Sequence, residues 1–80
     1  MIVSGRFDAR FGEEQAARAA ARDARSVGFE VTIHEHAVRG WLIVARRRQP
    51  FPGDDRDRYA SRLRAIAVSH GGDYDGFVQD

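Results

Sequence analysis

One plan runs twice through these 80 residues: strand, helix, strand, and then strand, helix, strand again. Ile2 to Asp8 alternates, with Val3, Gly5 and Phe7 on one side and Ile2, Ser4 and Arg6 on the other, which is the period of a strand. Asp8 to Gly12 then reads as a connector. Glu13 to Val27 has helical spacing. Ala16, Ala17, Ala20, Ala24 and Val27 share one stripe, while Glu14, Arg18, Arg22 and Arg25 fall opposite. Acid leads and Arg trails along this helix, in the sense its dipole favours, and Glu14 with Arg18 makes an i,i+4 pair. Gly28 stands where a left-handed residue ends a helix. A stripe made almost wholly of Ala lets the helix lie close to whatever it covers.

The second strand is expected at Phe29 to His36. Phe29, Val31 and Ile33 point one way, and Glu30, Thr32, His34 and His36 the other. Ala37-Val38-Arg39-Gly40 makes a short turn into a third strand, Trp41 to Arg47. The run Trp41 to Ala45 does not alternate, which predicts a central strand with both faces covered or nearly so. Gln49-Pro50-Phe51-Pro52-Gly53 is rich in breakers and reads as a loop. Asp54 to His70 is a second helix, with Tyr59, Ala60, Leu63, Ile66 and Ala67 on one stripe and Asp54, Asp55 and Asp57 in its first turn. Gly71-Gly72 ends it, and Tyr74 to Val78 is a short last strand.

Two strand-helix-strand halves with right-handed crossovers build an α+β domain of the ferredoxin-like βαββαβ kind. The expected architecture is a four-stranded antiparallel sheet, its first and third strands in the middle, with both helices on one face. A chain of this length makes a single domain, residues 1–80. Its other sheet face stays open, carrying Arg6, Thr32, His34 and one side of the third strand. An open sheet with apolar residues at its centre is a docking surface.

Composition removes several classes of function. There is no Cys, so disulfides, thiolate catalysis and thiolate metal sites are absent together. The net charge of +1 gives no global pull toward nucleic acid or membrane, even though all thirteen cations are Arg. The opening Met-Ile-Val-Ser-Gly-Arg lacks the apolar run of a signal peptide, and no stretch approaches the ~20 apolar residues of a membrane span. A cytoplasmic setting with no membrane partner is expected.

His34 and His36 project from the same side of a strand and could both reach one metal, but zinc needs three or four ligands and no third lies nearby in sequence. They read as exposed histidines, and no cofactor is expected. His70, at a helix end with Asp73 and Asp75 close by, has no serine placed to complete a triad. Arg46-Arg47-Arg48 is a basic run at the end of a strand. Its bland reading is a solvated strand end, and its functional reading is contact with RNA phosphates across the open sheet. RNA-recognition sheets stack bases on aromatics of their middle strands, whereas only Phe7 and Trp41 stand near here. Trp41 is either core packing or an interface anchor.

The least ordinary stretch is His70-Gly71-Gly72-Asp73-Tyr74-Asp75-Gly76-Phe77. A glycine pair turns the chain out of the helix, and Tyr74 and Phe77 then bracket Asp75-Gly76. Residues three apart on a strand point to opposite faces, so one aromatic is expected to be left over for a partner. Gly76 predicts a bulge or a close backbone approach.

Asp73-Tyr74-Asp75-Gly76-Phe77 resembles the closing motif of the RraB family, the regulators of ribonuclease activity B, with Phe77 where Trp is usual. Gly28-Phe29-Glu30-Val31 and Trp41-Leu42-Ile43-Val44 are similar to that family's second and third strands, so the likeness covers nearly the whole chain in plan. It implies a ferredoxin-like fold, no catalytic activity, and protein–protein contact of the kind by which the best-known members restrain the endoribonuclease RNase E. Those members are strongly acidic, and this chain, at +1, is not.

From the residues and the resemblance together, the expected role is a non-enzymatic protein-binding regulator of RNA turnover. Its contact surface is the open sheet face with Trp41, Asp73, Tyr74, Asp75, Gly76 and Phe77. A second copy of the chain is a further candidate partner for that face. The alternative is a small RNA-binding domain using Arg46, Arg47 and Arg48.

Overall fold

The computed structural model describes residues 1–38 and 40–80. The elements run β1 (Ile2–Val3), β2 (Gly5–Phe11), α1 (Glu14–Ser26), β3 (Phe29–His36), β4 (Gly40–Arg47), β5 (Phe51–Pro52), a 3-10 turn (Gly53–Asp55), α2 (Arg56–Ser69) and β6 (Asp73–Gln79). The molecule is α+β, with two helices and antiparallel strand pairing throughout. The main sheet has the order β3-β4-β2-β6, and β1 with β5 forms a separate two-stranded ribbon. Among the described residues there are thus six strands in two sheets, where the sequence led us to expect four in one.

Alternation explains the sheet. In β2, Gly5, Phe7, Ala9 and Phe11 are buried, while Arg6, Asp8 and Arg10 point away from the core. In β4, Ile43 and Ala45 are buried, and Leu42 and Val44 on the other side remain half-buried. The non-alternating run therefore sits centrally, as expected, but no helix among the described residues covers its second side. One continuous core joins Phe7, Ala9, Phe11, Ile43 and Ala45 of the sheet to Ala17, Ala20, Ala21, Ala24, Leu63 and Ala67 of the helices. Both helices accordingly pack on one face. Phe7 and Ile43 are fully buried, each contributing about 1.5–3 kcal/mol of transfer free energy. Gly28 follows α1 with φ of 99°, the left-handed cap its position called for.

Two expectations from sequence fail at the chain's first crossing of the sheet. The strand read as Ile2 to Asp8 breaks at Ser4, and the segment read as a connector, Asp8 to Gly12, is strand as far as Phe11. The breaker-rich loop also hides a strand. Val3 pairs with Phe51 and Ile2 with Pro52. Pro52, which has no N–H to donate, is tolerated because so short a ribbon can pair without a donor at that position. The ribbon buries Val3 and Phe51, and Phe51 closes the core beside Phe7, Tyr59 and Phe77, at ring-centre distances of 6.1, 5.1 and 6.1 Å. Of the turn expected at Ala37 to Gly40, Arg39 lies outside the described residues.

Candidate functional site

The open sheet face is set by strand register. Thr32, Val44, Asp8 and Gly76 form one row across the four strands, and His34, Leu42, Arg10 and Asp73 form the next. Glu30 stands opposite Arg46, and Arg6 opposite Val78. The result is a mosaic of charge around a small apolar centre of Leu42 and Val44.

Asp8 occupies the middle of this mosaic. Its side chain is only 14% exposed, and Oδ2 lies 3.4 Å from Arg6 Nε. Its Oδ1 is buried with no hydrogen-bond partner among the described residues. Burial holds the carboxyl above its ordinary value; Arg6 opposes this rise, and the neighbouring Asp75 adds to it. The sequence reading missed Asp8 because it ended the strand there. Continuing the alternation to Phe11 would have placed Asp8 on the open face between Arg6 and Arg10.

The segment Asp73 to Phe77 forms the strand beside Asp8. Ala9 pairs with Tyr74, but Asp8 pairs with Gly76, so Asp75 is an extra residue. This bulge is the irregularity that Gly76 predicted, and Gly76 takes φ of 128° there. It overturns the expectation that Tyr74 and Phe77 face opposite ways. One inserted residue restores the phase, and both rings turn to the helix side, where they pack against the core. The ring centre of Phe77 lies 4.7 Å from that of Phe7. Tyr74 lies under Arg64 of α2, 5.4 Å from guanidinium carbon to ring centre. Burial pushes its phenol above the ordinary value of 10.0, with Arg64 opposing. Asp75 goes to the open face, where Arg10 Nε donates to its Oδ1 at 2.8 Å.

Trp41 pairs with Phe11 and Glu35 and packs, half-buried, against the core from the helix side. All eight Phe, Trp and Tyr residues are in the core or packed on it, so the open face carries none of them, and its rings are imidazoles such as that of His34.

The basic run divides as alternation requires. Arg46 points to the open face, where Nη1 donates to both carboxylate oxygens of Asp80 at 3.1 Å. Ser4 Oγ donates to Asp80 Oδ2 at 3.2 Å. Arg47 points to the helix side, over Tyr59 and Phe29, and its Nη1 donates to the Val27 carbonyl at 3.2 Å. Arg48 has no ion-pair partner among the described residues.

The histidines do not come together in one cluster. His34 Nε2 lies 2.9 Å from Thr32 Oγ1 on the open face, and His36 Nδ1 accepts from the Val38 N–H. His70 Nε2 meets Asp23 Oδ2 at 2.7 Å between the helices, and not Asp73 or Asp75. Among the described residues, no three His, Asp or Glu side chains gather as metal ligands. No helix among them is long and apolar enough to cross a membrane.

The chain has no match among curated proteins or among solved structures. The family model described as regulator of ribonuclease activity B does match, over residues 6–78. That span runs from the first strand of the main sheet through the bulged last strand, and the chain belongs to the RraB family.

Proposed function

We propose that this chain is a non-enzymatic, cytoplasmic regulator of RNA turnover that acts by protein–protein contact, as the RNase E inhibitor RraB does. It would do so as one ferredoxin-like RraB domain over residues 1–80. Family membership supports the regulatory role. The observation that carries the contact surface is the bulge in β6, which sends Asp75 to the open face and Tyr74 and Phe77 inward. The motif is thereby both anchor and presenter. Tyr74 and Phe77 fix the strand to the core, and Asp73, Asp75 and Gly76 border the open face beside Asp8 and Arg10. Trp41, half-buried at the end of its strand, acts as packing for that surface.

The RNA-binding alternative is disfavoured on this geometry. Single-stranded RNA is held largely by bases stacked on aromatic side chains, and every Phe, Trp and Tyr of the chain packs on the helix side of the sheet and not on the open face. The test is cleavage of a labelled RNA by a purified RNase E-type endoribonuclease, with and without the chain, together with a pull-down repeated after nuclease treatment. Slowed cleavage and a complex that survives nuclease support the reading. Unchanged cleavage with no complex overturns it, and a complex lost on nuclease treatment replaces it with the RNA-binding one.

A further inference from the structure

An open groove of about 610 Å³ lies where the open face meets the β4–β5 connection, with Arg46, Arg48, Thr32, Ser4, Val44 and Pro50 among its lining. Inside it, the carboxylate of Asp80 accepts from Arg46 Nη1 through both oxygens and from Ser4 Oγ through one. The backbone N–H of Asp80 donates to the Ser4 carbonyl at 2.9 Å, which holds the residue in place. The chain has thus built a receptor for a carboxylate and filled it with one of its own.

Both partners of this pair stay about half exposed, at 45% for Arg46 and 51% for Asp80. Exposed pairs of this kind are weak and exchange readily with competing ions. A second cation, Arg48, lines the same groove with no ion-pair partner among the described residues, so the site has capacity beyond what Asp80 uses. Val44 and Pro50 give it an apolar wall.

We propose that this groove docks an acidic peptide segment of the protein partner. A carboxylate of that segment replaces Asp80 on Arg46 and Ser4, and a second pairs with Arg48. Asp80 is then an internal competitor that lowers affinity for weakly acidic chains. The proposal rests on the protein-contact reading above. A carboxylate fits better than an RNA phosphate because the seat is already occupied by a carboxylate, and the ring in the groove's lining, Phe51, is buried in the core and not free to stack on a base.

The experiment is fluorescence anisotropy with a short labelled poly-glutamate peptide, against a poly-lysine peptide and a single-stranded RNA of equal length. The wild-type chain is compared with Arg46→Ala, Arg48→Ala and Asp80→Ala, each first checked by thermal melting. The acidic peptide is expected to bind, Arg46→Ala and Arg48→Ala to weaken it, and Asp80→Ala to tighten it by up to about fivefold, the upper end for one competing exposed pair. Absence of acidic-peptide binding, indifference to the three substitutions, or preference for RNA overturns the proposal. Arg48, which has no ion-pair partner among the described residues, keeps the test readable if Arg46→Ala is poorly folded. A ribonuclease complex insensitive to Arg46→Ala and Arg48→Ala removes this proposal while leaving the protein-contact reading in place.

Discussion

The guanidinium carbon of Arg47 lies 4.5 Å from the ring centre of Tyr59, which ties the end of a central strand to the start of the second helix. Arg47 also covers Phe29 at 5.2 Å and donates to the Val27 carbonyl at the end of α1. One side chain from the basic run therefore joins three elements. Arg47→Ala is expected to lower unfolding stability by about 1–2 kcal/mol, from a partly desolvated cation–π contact and one hydrogen bond. Arg47→Lys should fall between, since an ammonium keeps the charge but not the planar stack. Urea unfolding measures both, and an Arg47→Ala chain as stable as wild type would show that the contact contributes nothing.

Gly5 is held by space. A Cβ there would stand 2.3 Å from the Val78 carbonyl oxygen and 2.9 Å from the Gln79 Cα. Both are backbone atoms of the neighbouring strand, which cannot move aside without breaking the pairing. Gly5→Ala should cost about 1–3 kcal/mol, as overpacking does. Gly12→Ala, where a Cβ meets nothing within 4 Å among the described residues, should stay within ~0.5 kcal/mol. Thermal melts of the two variants side by side settle the contrast.

Asp8 makes a pH prediction. Its folded carboxyl is raised above the ordinary 3.8 by burial, so the folded chain holds that proton more tightly than the unfolded one. Its contribution is fully present below 3.8 and is lost as pH rises through the raised folded value. Relative to Asp8→Asn, wild type should gain stability on acidification from neutral pH toward 3.8. Urea midpoints for both chains across that range test this. A difference that stays flat with pH would place the carboxyl in a solvated setting.

Tyr74 makes the matching prediction in alkali. Its phenol is raised above 10.0 because the ring is partly buried on the helix side, so ionisation works against the fold. Stability from this group is intact at neutral pH and is lost as pH climbs past 10.0 toward the raised value. Tyr74→Phe should remove this component of alkaline unfolding and cost at most about 1 kcal/mol at neutral pH, since it keeps the ring. Far-ultraviolet circular dichroism against pH for the two chains reads it. Parallel alkaline transitions would rule Tyr74 out as a contributor.

Much of this architecture is legible in local periodicity. The Ala stripe of α1, the alternation of β3 and the stripe of Tyr59, Leu63 and Ala67 in α2 each name their buried face. Side-chain direction follows from a fixed period of 3.6 or 2, with no reference to the rest of the chain. The separation of Arg46 from Arg47 is legible for the same reason. The C-terminal motif pointed to the family, because five specific residues carry it.

What periodicity could not supply was the phase across a bulge. Whether Tyr74 and Phe77 share a face depends on one extra residue, Asp75, and that insertion exists only because Asp8 and Ala9 pair with Gly76 and Tyr74. The ribbon of Val3 with Phe51, the seating of Asp80 on Arg46 and the burial of Asp8 are likewise contacts between distant parts of the chain. The sequence by itself determined which residues the regular elements α1, β3 and α2 turn inward, because that is a local repeat. Tertiary structure alone decided which charges meet on the open face, because pairing register is set between strands and not within them.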